Sequence, residues 1–204
     1  MSHLYLLRHG DYLYEPAGES GFKQDCGLTD LGREQAERLR LRLATTGELR
    51  PDVFLSSSER RARETAEIIA PVLGTPIIID PDLEEWRSDD SSVETEEFMR
   101  QWHALSDRER RFHRFVPGCE TGIEFSTRVH STLNRILQAH RGKTIVLMTH
   151  GGVIQVAFQF FFGYGEAAFR RAYPAAAHVS ITHWRHEEGP DRWVLEGAND
   201  HRHG

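Results

Sequence analysis

The chain has 204 residues, of which 39% are hydrophobic and 27% charged, a composition typical of a soluble globular protein that buries its core without disulfides or structural metals. Its 25 basic and 31 acidic residues leave a net charge of −6, which argues against general affinity for nucleic acid. Cys26 and Cys119 fit no metal or disulfide spacing, the apolar start is too short for a signal peptide, and no stretch reaches the ~20 apolar residues of a membrane span. We therefore expect a cytoplasmic protein without a membrane partner.

The first predicted element is an apolar strand over residues 4–7, which ends in Arg8, His9 and Gly10. In open α/β sheets the ligand site lies beyond the carboxyl ends of such strands. Gly10 would let the backbone turn sharply or come close to a ligand. Because the chain has 12 histidines, this tripeptide alone would be weak evidence for a site.

Strands and helices then alternate along the chain. The predicted elements are a polar loop over residues 11–27, a helix over 30–45, a strand over 53–55, a helix after residue 58 and a strand over 77–79. This order predicts an α/β protein, a three-layer α/β/α sandwich around a mostly parallel sheet with helices on both faces.

Residues at the ends of the two helices predict where each begins and ends. Thr29 is placed to cap the first helix, and Gly47 to end it. Ser58 is placed to cap the second helix, which we expect Pro71 to end or kink near Ala70.

Residues 86–118 interrupt this alternation with a polar stretch that predicts at most one short helix, around residues 94–105. We expect it to be a cap-like insertion over the active site within a single domain of residues 1–204. Residues 108–114 carry four arginines and a histidine against one acid. These arginines either pair with nearby acids on a solvated surface or bind a second anionic group of a substrate. The nearby acids are Asp89, Asp90, Glu94, Glu96 and Glu97.

Regular structure resumes with a capping-box spacing at Thr121 and Glu124. The predicted elements are a helix after residue 121, a strand over 144–149, an apolar helix over 153–162 and a hairpin with strands over 179–184 and 192–195. The apolar helix carries Phe158 and Phe160–Phe162, which suit the core, with a subunit interface as the alternative. A homodimer therefore stays open.

Two strands end alike, in Arg8-His9-Gly10 and in His150-Gly151-Gly152. If both are parallel and central, the two histidines meet at one sheet edge, where the following helix directs free N–H groups at an anion. Zinc is the competing interpretation, but no third ligand has suitable spacing and Arg8 would repel a cation. The pattern predicts a phosphate-like dianion and neither a metal nor a cofactor.

Six segments carry these residues in order: LLRHG at 6–10, LTDLGREQA at 28–36, SSSERRARETA at 56–66, LEE at 83–85, PGCET at 117–121 and THGG at 149–152. Together they resemble the histidine phosphatase superfamily, the phosphoglycerate-mutase-like enzymes. The resemblance covers most of the chain.

The resemblance implies a role for each matching residue. His9 matches the nucleophile that carries the phosphoryl group as phosphohistidine, and it must be neutral to attack. Arg8 and Arg61 match the two phosphate-binding arginines. His150 matches a second catalytic histidine that donates to the same oxygens, and Gly151 would contribute to phosphate binding.

The general acid is less clearly placed by the resemblance. Glu85 stands two residues after Leu83, as the family acid does, but Glu84 is adjacent and remains an alternative. The aromatic-glycine run that follows the acid in the family is replaced here by residues 86–89, which leaves the acid's exact position open.

The reaction expected from the resemblance is hydrolysis of a small phosphorylated metabolite. Residues 11–15 lack the Asn-containing segment of cofactor-dependent mutases, and the chain lacks their longer sealing insertion. Water can then take the phosphoryl group from His9. The alternatives are a mutase-type phosphoryl transferase and a catalytically silent phospho-ligand or protein-binding module, which would need neither a nucleophile nor an acid.

Overall fold

The computed structural model describes residues 1–15, 24–88, 93–163 and 172–203. In chain order its elements are β1 (His3–Arg8), β2 (Tyr12–Glu15), β3 (Gln24–Leu28), α1 (Asp30–Thr46), β4 (Val53–Ser56), α2 (Arg60–Leu73), β5 (Ile77–Ile79), a 3₁₀ helix (Pro81–Leu83), α3 (Thr95–Ala104), α4 (Asp107–Phe112), α5 (Gly122–Ala139), β6 (Thr144–Thr149), α6 (Gly151–Phe162), β7 (Ile181–Glu187) and β8 (Arg192–Asp200).

The main sheet has the strand order β5-β4-β6-β1-β7-β8. Its first four strands are parallel, whereas β7 and β8 run antiparallel to their neighbours. β1 therefore lies between β6 on one side and β7 on the other. The predicted α/β class with a mostly parallel sheet is confirmed.

Alternating side chains of the strands build one core on each face of this sheet. Leu7 and Met148 pack with α1 and α2. Leu6 and Leu147 pack with α5 and α6 on the opposite face. The helices thus cover both faces, as predicted.

The predicted loop over residues 11–27 is wrong where the structure describes it. β2 and β3 pair as a small antiparallel sheet, and residues 16–23 lie outside the described ranges. Contacts with α2 hold β3 in place: the Glu64 side chain accepts from the Leu28 N–H at 3.0 Å, and the Asp25 side chain accepts from the Arg61 backbone N–H at 3.1 Å. A strand that depends on such distant partners has little local signal.

The first helix has the predicted ends, since Thr29 accepts from the Gly32 N–H and Gly47 adopts φ 59°. The Ser58 cap is wrong: α2 begins after Glu59, and the Ser58 hydroxyl donates to Glu84 instead. The helix does not end near Ala70, because α2 continues to Leu73 with Pro71 inside its last turn.

The insertion contains two helices, α3 and α4, where the sequence predicted at most one. A capping box between Ser106 and Glu109 starts α4. Phe115 and Val116 form a small apolar core with the aromatic rings of α3, and Trp86 joins this core to the main one. Asp89 and Asp90 lie outside the described residues.

The last third of the chain follows the prediction, with longer hairpin strands. Thr121 forms its capping box with Glu124. β7 begins at Ile181 because the preceding residues form a turn, with Val179 at φ 54°. No helix within the described ranges is long and apolar enough to cross a membrane.

Candidate active site

The two predicted histidines lie side by side at the carboxyl edge of the sheet. β1 and β6 are adjacent, and Arg8 pairs with Thr149 in the parallel register. The next residues, His9 and His150, therefore leave the sheet at the same level. Their ring centroids are 4.9 Å apart, and their exposed fractions are only 2% and 0%.

His9 is held with its Nε2 free of a proton. Its Nδ1 lies 2.7 Å from the Gly10 carbonyl oxygen, which can only accept, and the Arg61 Nε–H donates to Nε2 at 3.2 Å. Burial, the neighbouring His150 and the Arg61 charge together lower the pKa of His9 well below its usual 6.5. The ring is therefore neutral at physiological pH, with its lone pair on Nε2.

Arg61 is the arginine of the segment at 56–66 that enters the site. Its side chain is 1% exposed and is oriented by Asp25 at 3.0 Å and Glu59 at 2.8 Å. Its guanidinium also lies 4.7 Å from the centre of the Tyr12 ring. The adjacent Arg60 is exposed and pairs with Glu64 instead.

His150 is oriented through one ring nitrogen. Its Nε2 lies 2.8 Å from both the Ser57 Oγ and a Glu59 oxygen, while the buried Nδ1 has no hydrogen-bond partner among the described residues. Burial alone would raise the pKa of Glu59, but the hydrogen bond from His150 and the Arg61 charge lower this pKa to about 2. An ionised Glu59 thus joins His150 to Arg61.

Arg8 completes the positive side of the site. Its Nη1 donates to the Ala176 carbonyl at 2.6 Å, and its buried Nε has no partner within the described chain. Gly151, the first residue of α6, lies against the guanidinium. Burial lowers the pKa of Arg8 without removing its charge at physiological pH.

The two adjacent acids face different partners. Glu84 accepts from Ser58 and from Arg87, which places its carboxylate outside the histidine pair. Glu85 accepts from the Gly152 N–H at 2.9 Å and from the Trp86 N–H at 3.0 Å. The start of α6 therefore holds Glu85, and a Cβ at position 152 would overlap its carboxylate.

Arg128 of α5 holds the segment that carries Glu85. Its guanidinium donates to the carbonyls of Asp82, Glu84 and Glu85 at 2.9–3.0 Å and to Glu120 at 2.7 Å. The sequence analysis missed this residue, although its position on the helix beside the core-facing Val129 was available as a signal. Arg128 therefore fixes the backbone on both sides of Glu84 through these carbonyl groups.

The sequence analysis also missed His178. Its ring centroid lies 5.7 Å from that of His9 and 6.1 Å from that of Tyr12, and its Nδ1 lies 3.7 Å from an Asp11 oxygen. The buried Nε2 has no hydrogen-bond partner in the described part of the chain. The residues preceding it give no sequence signal for a site.

A cavity of about 440 Å³ opens beside Glu85. Its walls include Trp86, Phe125, Gln155 and, from α4 of the insertion, Arg111. Among the residues that the structure describes, no three or more His, Cys, Asp or Glu side chains form a metal-binding group. The polar contents of the site are thus arginines, imidazoles and separate carboxylates.

Two other arginines of residues 108–114, Arg110 and Arg114, have partners outside this cavity. Arg110 pairs with Asp107 at 2.8 Å and lies over the Trp102 ring. Arg114 pairs with Glu124 at 2.6 Å. Both arginines therefore pair with acids, although not with the acids that the sequence suggested.

Comparisons with known proteins agree on one family. The profile of the histidine phosphatase superfamily (branch 1) matches residues 4–201. The probable phosphoglycerate mutase GpmB of Escherichia fergusonii is 29% identical over 211 residues, covering 100% of this chain and 95% of the relative. The structure of Bacillus stearothermophilus YhfR superposes with a TM-score of 0.75 at 27% identity, covering 98% of this chain and 99% of that one.

A phosphoserine phosphatase from Entamoeba histolytica, solved as a mutant in complex with phosphoserine, superposes with a TM-score of 0.72. It is 19% identical and covers 100% of this chain and 99% of its own. A mycobacterial glucosyl-3-phosphoglycerate phosphatase gives a TM-score of 0.73 at 22% identity, over 97% and 98% of the two chains. At these identities the likeness shows the fold alone.

Proposed function

Because the chain belongs to the histidine phosphatase superfamily, we propose that it hydrolyses a small phosphorylated metabolite through a phosphohistidine intermediate. One observation carries the proposal: a neutral, buried His9 presents its Nε2 lone pair among two arginines and a second histidine. That arrangement combines a nucleophile with donors for a phosphoryl group.

In the first step the His9 Nε2 attacks phosphorus, and the bond from phosphorus to the leaving oxygen breaks. Glu85 gives its proton to that oxygen and becomes a carboxylate, the form that the Gly152 and Trp86 N–H groups stabilise. In the second step water attacks phosphorus and the phosphorus–nitrogen bond breaks. Glu85 takes the proton of the water, and inorganic phosphate leaves.

Charge on the transferred group is met by Arg8, Arg61 and His150. The Nε2 of His150 is committed to Ser57 and Glu59, so a donor to phosphate must be its Nδ1–H. The ionised Glu59 holds the opposite side of the ring at Nε2. Fixed donors of this kind stabilise the transition state because they need no reorganisation.

Mutase-type phosphoryl transfer remains the alternative, since one relative is named a probable phosphoglycerate mutase. Hydrolysis is favoured because residues 11–15 lack the Asn-containing segment of cofactor-dependent mutases and the chain lacks their longer insertion, which seals the site against water. A silent binding module is disfavoured, because binding needs neither the neutral His9 nor the positioned Glu85. We also propose a single domain of residues 1–204 in the cytoplasm, with residues 86–118 over the site; a homodimer stays a prediction.

We expect the purified protein to release inorganic phosphate from phosphomonoesters after exhaustive chelation. Arg8, Arg61 and His150 supply the positive field that two-metal phosphatases obtain from ions. The measurement is phosphate release from a panel of phosphomonoesters, with and without chelator.

A metal-dependent phosphatase, treated in parallel, serves as the control that chelation is complete. Activity that disappears and returns only with zinc or manganese would contradict the metal-independent mechanism. Phosphoglycerate isomerisation faster than phosphate release would favour the mutase instead.

We expect Arg111 to select substrates that carry a second anionic group. Replacing Arg111 with Gln should lower kcat/KM for bisphosphates or phosphorylated carboxylic acids by roughly 10-fold or more, as for a lost charged hydrogen bond. Activity on a simple aryl phosphate should stay within about 2-fold, because the contact is remote from the reacting atoms. The difference should shrink as salt concentration rises.

Arg110→Gln and Arg114→Gln are the matched controls, since both side chains pair with acids away from the cavity. Each should leave the ratio of the two activities unchanged. A loss in Arg111→Gln that is equal for both substrate types would assign Arg111 to the surface only.

A further inference from the structure

His178 reaches the site from an unusual turn before β7. The Ser180 N–H donates to the Ala177 carbonyl at 3.1 Å, which closes a β-turn with His178 and Val179 at its centre. Val179 has φ 54°, a left-handed conformation that glycine or asparagine adopts far more readily than a β-branched residue. Strained backbone that the surroundings enforce is concentrated at functional sites.

The same turn is tied directly to the nucleophile. The Val179 N–H donates to the His9 carbonyl at 3.3 Å, and the Arg8 N–H donates to the Ser180 carbonyl at 3.2 Å. The position of His178 is therefore coupled to that of His9 through backbone hydrogen bonds. Asp11 is fixed in turn by the Thr29 hydroxyl, which donates to its second oxygen at 2.6 Å.

The surroundings of His178 suit a ring that gains a proton when a dianion arrives. The charged and titratable groups that face it in the described residues are Arg8 from β1, His9 and Asp11 after β1, and Tyr12 from β2. Burial and the Arg8 charge lower the pKa of His178, and the Asp11 carboxylate partly opposes them. The free protein thus holds a neutral ring with one nitrogen toward a carboxylate and the other buried without a partner.

We infer that His178 is a further ligand of the phosphoryl group: its Nε2–H donates to a phosphoryl oxygen, and the ring takes a proton from solvent when the dianion binds. Asp11 balances the new charge at Nδ1. This inference rests on the proposed function, because it assumes that a phosphoryl group occupies the space between Arg8, Arg61 and the histidines. It adds a third imidazole to the two that the family resemblance implies.

Sulfate is the probe, because it stays a dianion across the range in which histidine titrates. With ¹⁵N-histidine labelling, we expect the His178 nitrogens to report a neutral ring without sulfate and an imidazolium with saturating sulfate at the same pH. Bound sulfate should raise the pKa of the His178 ring. The affinity for sulfate should therefore fall as the pH rises through the pKa that His178 has in the complex. Imidazole-to-backbone correlations assign the signals in the unmodified protein.

Two variants distinguish the hydrogen bond that His178 donates from the proton that its ring takes up. His178→Gln keeps a neutral hydrogen-bond donor, so sulfate should still bind. Most of the proton uptake that accompanies sulfate binding at His178 should be lost. Calorimetry in buffers of different ionisation enthalpy measures this proton uptake. His178→Ala should weaken sulfate binding by roughly 10- to 100-fold, as for a lost hydrogen bond to a charged group. His103→Gln, at an exposed position on α3, should change neither quantity.

Unchanged His178 signals at saturating sulfate, or full proton uptake in His178→Gln, would overturn the inference. The measurement of the His178 nitrogen signals uses the unmodified protein, so it does not depend on the folding of a variant. Neither this measurement nor the calorimetry requires catalytic turnover. If His178 takes up a proton when sulfate binds, but His9 never carries phosphate, the proposed hydrolase function is refuted and the anion site is supported.

Discussion

Replacing His9 with alanine is expected to abolish turnover, lowering kcat by roughly 10⁵-fold or more, as loss of a nucleophile does in other covalent enzymes. The physical reason is that His9 presents its Nε2 lone pair beside Arg61, whereas the Nε2 of His150 is bound to Ser57 and Glu59. Brief reaction of the unmodified protein with labelled substrate, followed by alkaline quench, should leave the label on His9.

The control for this variant is its folding. His9 is buried but contributes no large apolar side chain to either core, so the thermal unfolding transition of His9→Ala should remain cooperative. Label on a serine or an aspartate, or substantial activity in a folded His9→Ala, would refute the phosphohistidine mechanism.

Replacing Glu85 with glutamine is expected to lower kcat/KM for alkyl phosphates by roughly 10²–10⁴-fold, the usual contribution of a general acid. Aryl phosphates should lose much less in the first step, because their leaving oxygen departs without a proton. Glutamine keeps the size of the side chain and can still accept from the Gly152 N–H, so the positioning of the residue is preserved. The measurement is the dependence of kcat/KM on leaving-group pKa for both proteins.

Glu84→Gln is the matched control, one residue away. Its carboxylate contacts Ser58 and Arg87 rather than the start of α6, so its leaving-group dependence should equal that of the unmodified protein. Equal losses on alkyl and aryl substrates in Glu85→Gln, or a larger loss in Glu84→Gln, would place the acid elsewhere.

Sequence alone could predict the part of the site that stands at the ends of parallel strands. Apolar runs such as those before Arg8 and His150 identify buried strands, and parallel neighbours bring their carboxyl ends to one edge. Arg61 and Glu85 were implied instead by the resemblance of the segments at 56–66 and 83–85 to the family. These residues depend mainly on signals within a few positions of themselves.

The missed residues depend on long-range geometry. His178 precedes β7, which is antiparallel to β1. The amino end of β7, not its carboxyl end, therefore reaches the sheet edge where His9 and His150 lie. Asp25 belongs to β3, which is bonded to α2, a helix more than 30 residues later in the chain. The second helix of the insertion is different, because the sequence itself carries the capping-box spacing of Ser106 and Glu109.

The place of β1 in the sheet also has a consequence for how the chain acquires its structure. Both hydrogen-bonding neighbours of this N-terminal strand, β6 at Thr144–Thr149 and β7 at Ile181–Glu187, come from the last third of the sequence. Closing such long loops costs conformational entropy before any contact compensates for it. A growing polypeptide therefore carries an unpaired apolar β1 until most of its residues have been made, which exposes it to aggregation in the meantime. His9, which directly follows β1, therefore reaches its position beside His150 only after β6 and β7 have been made.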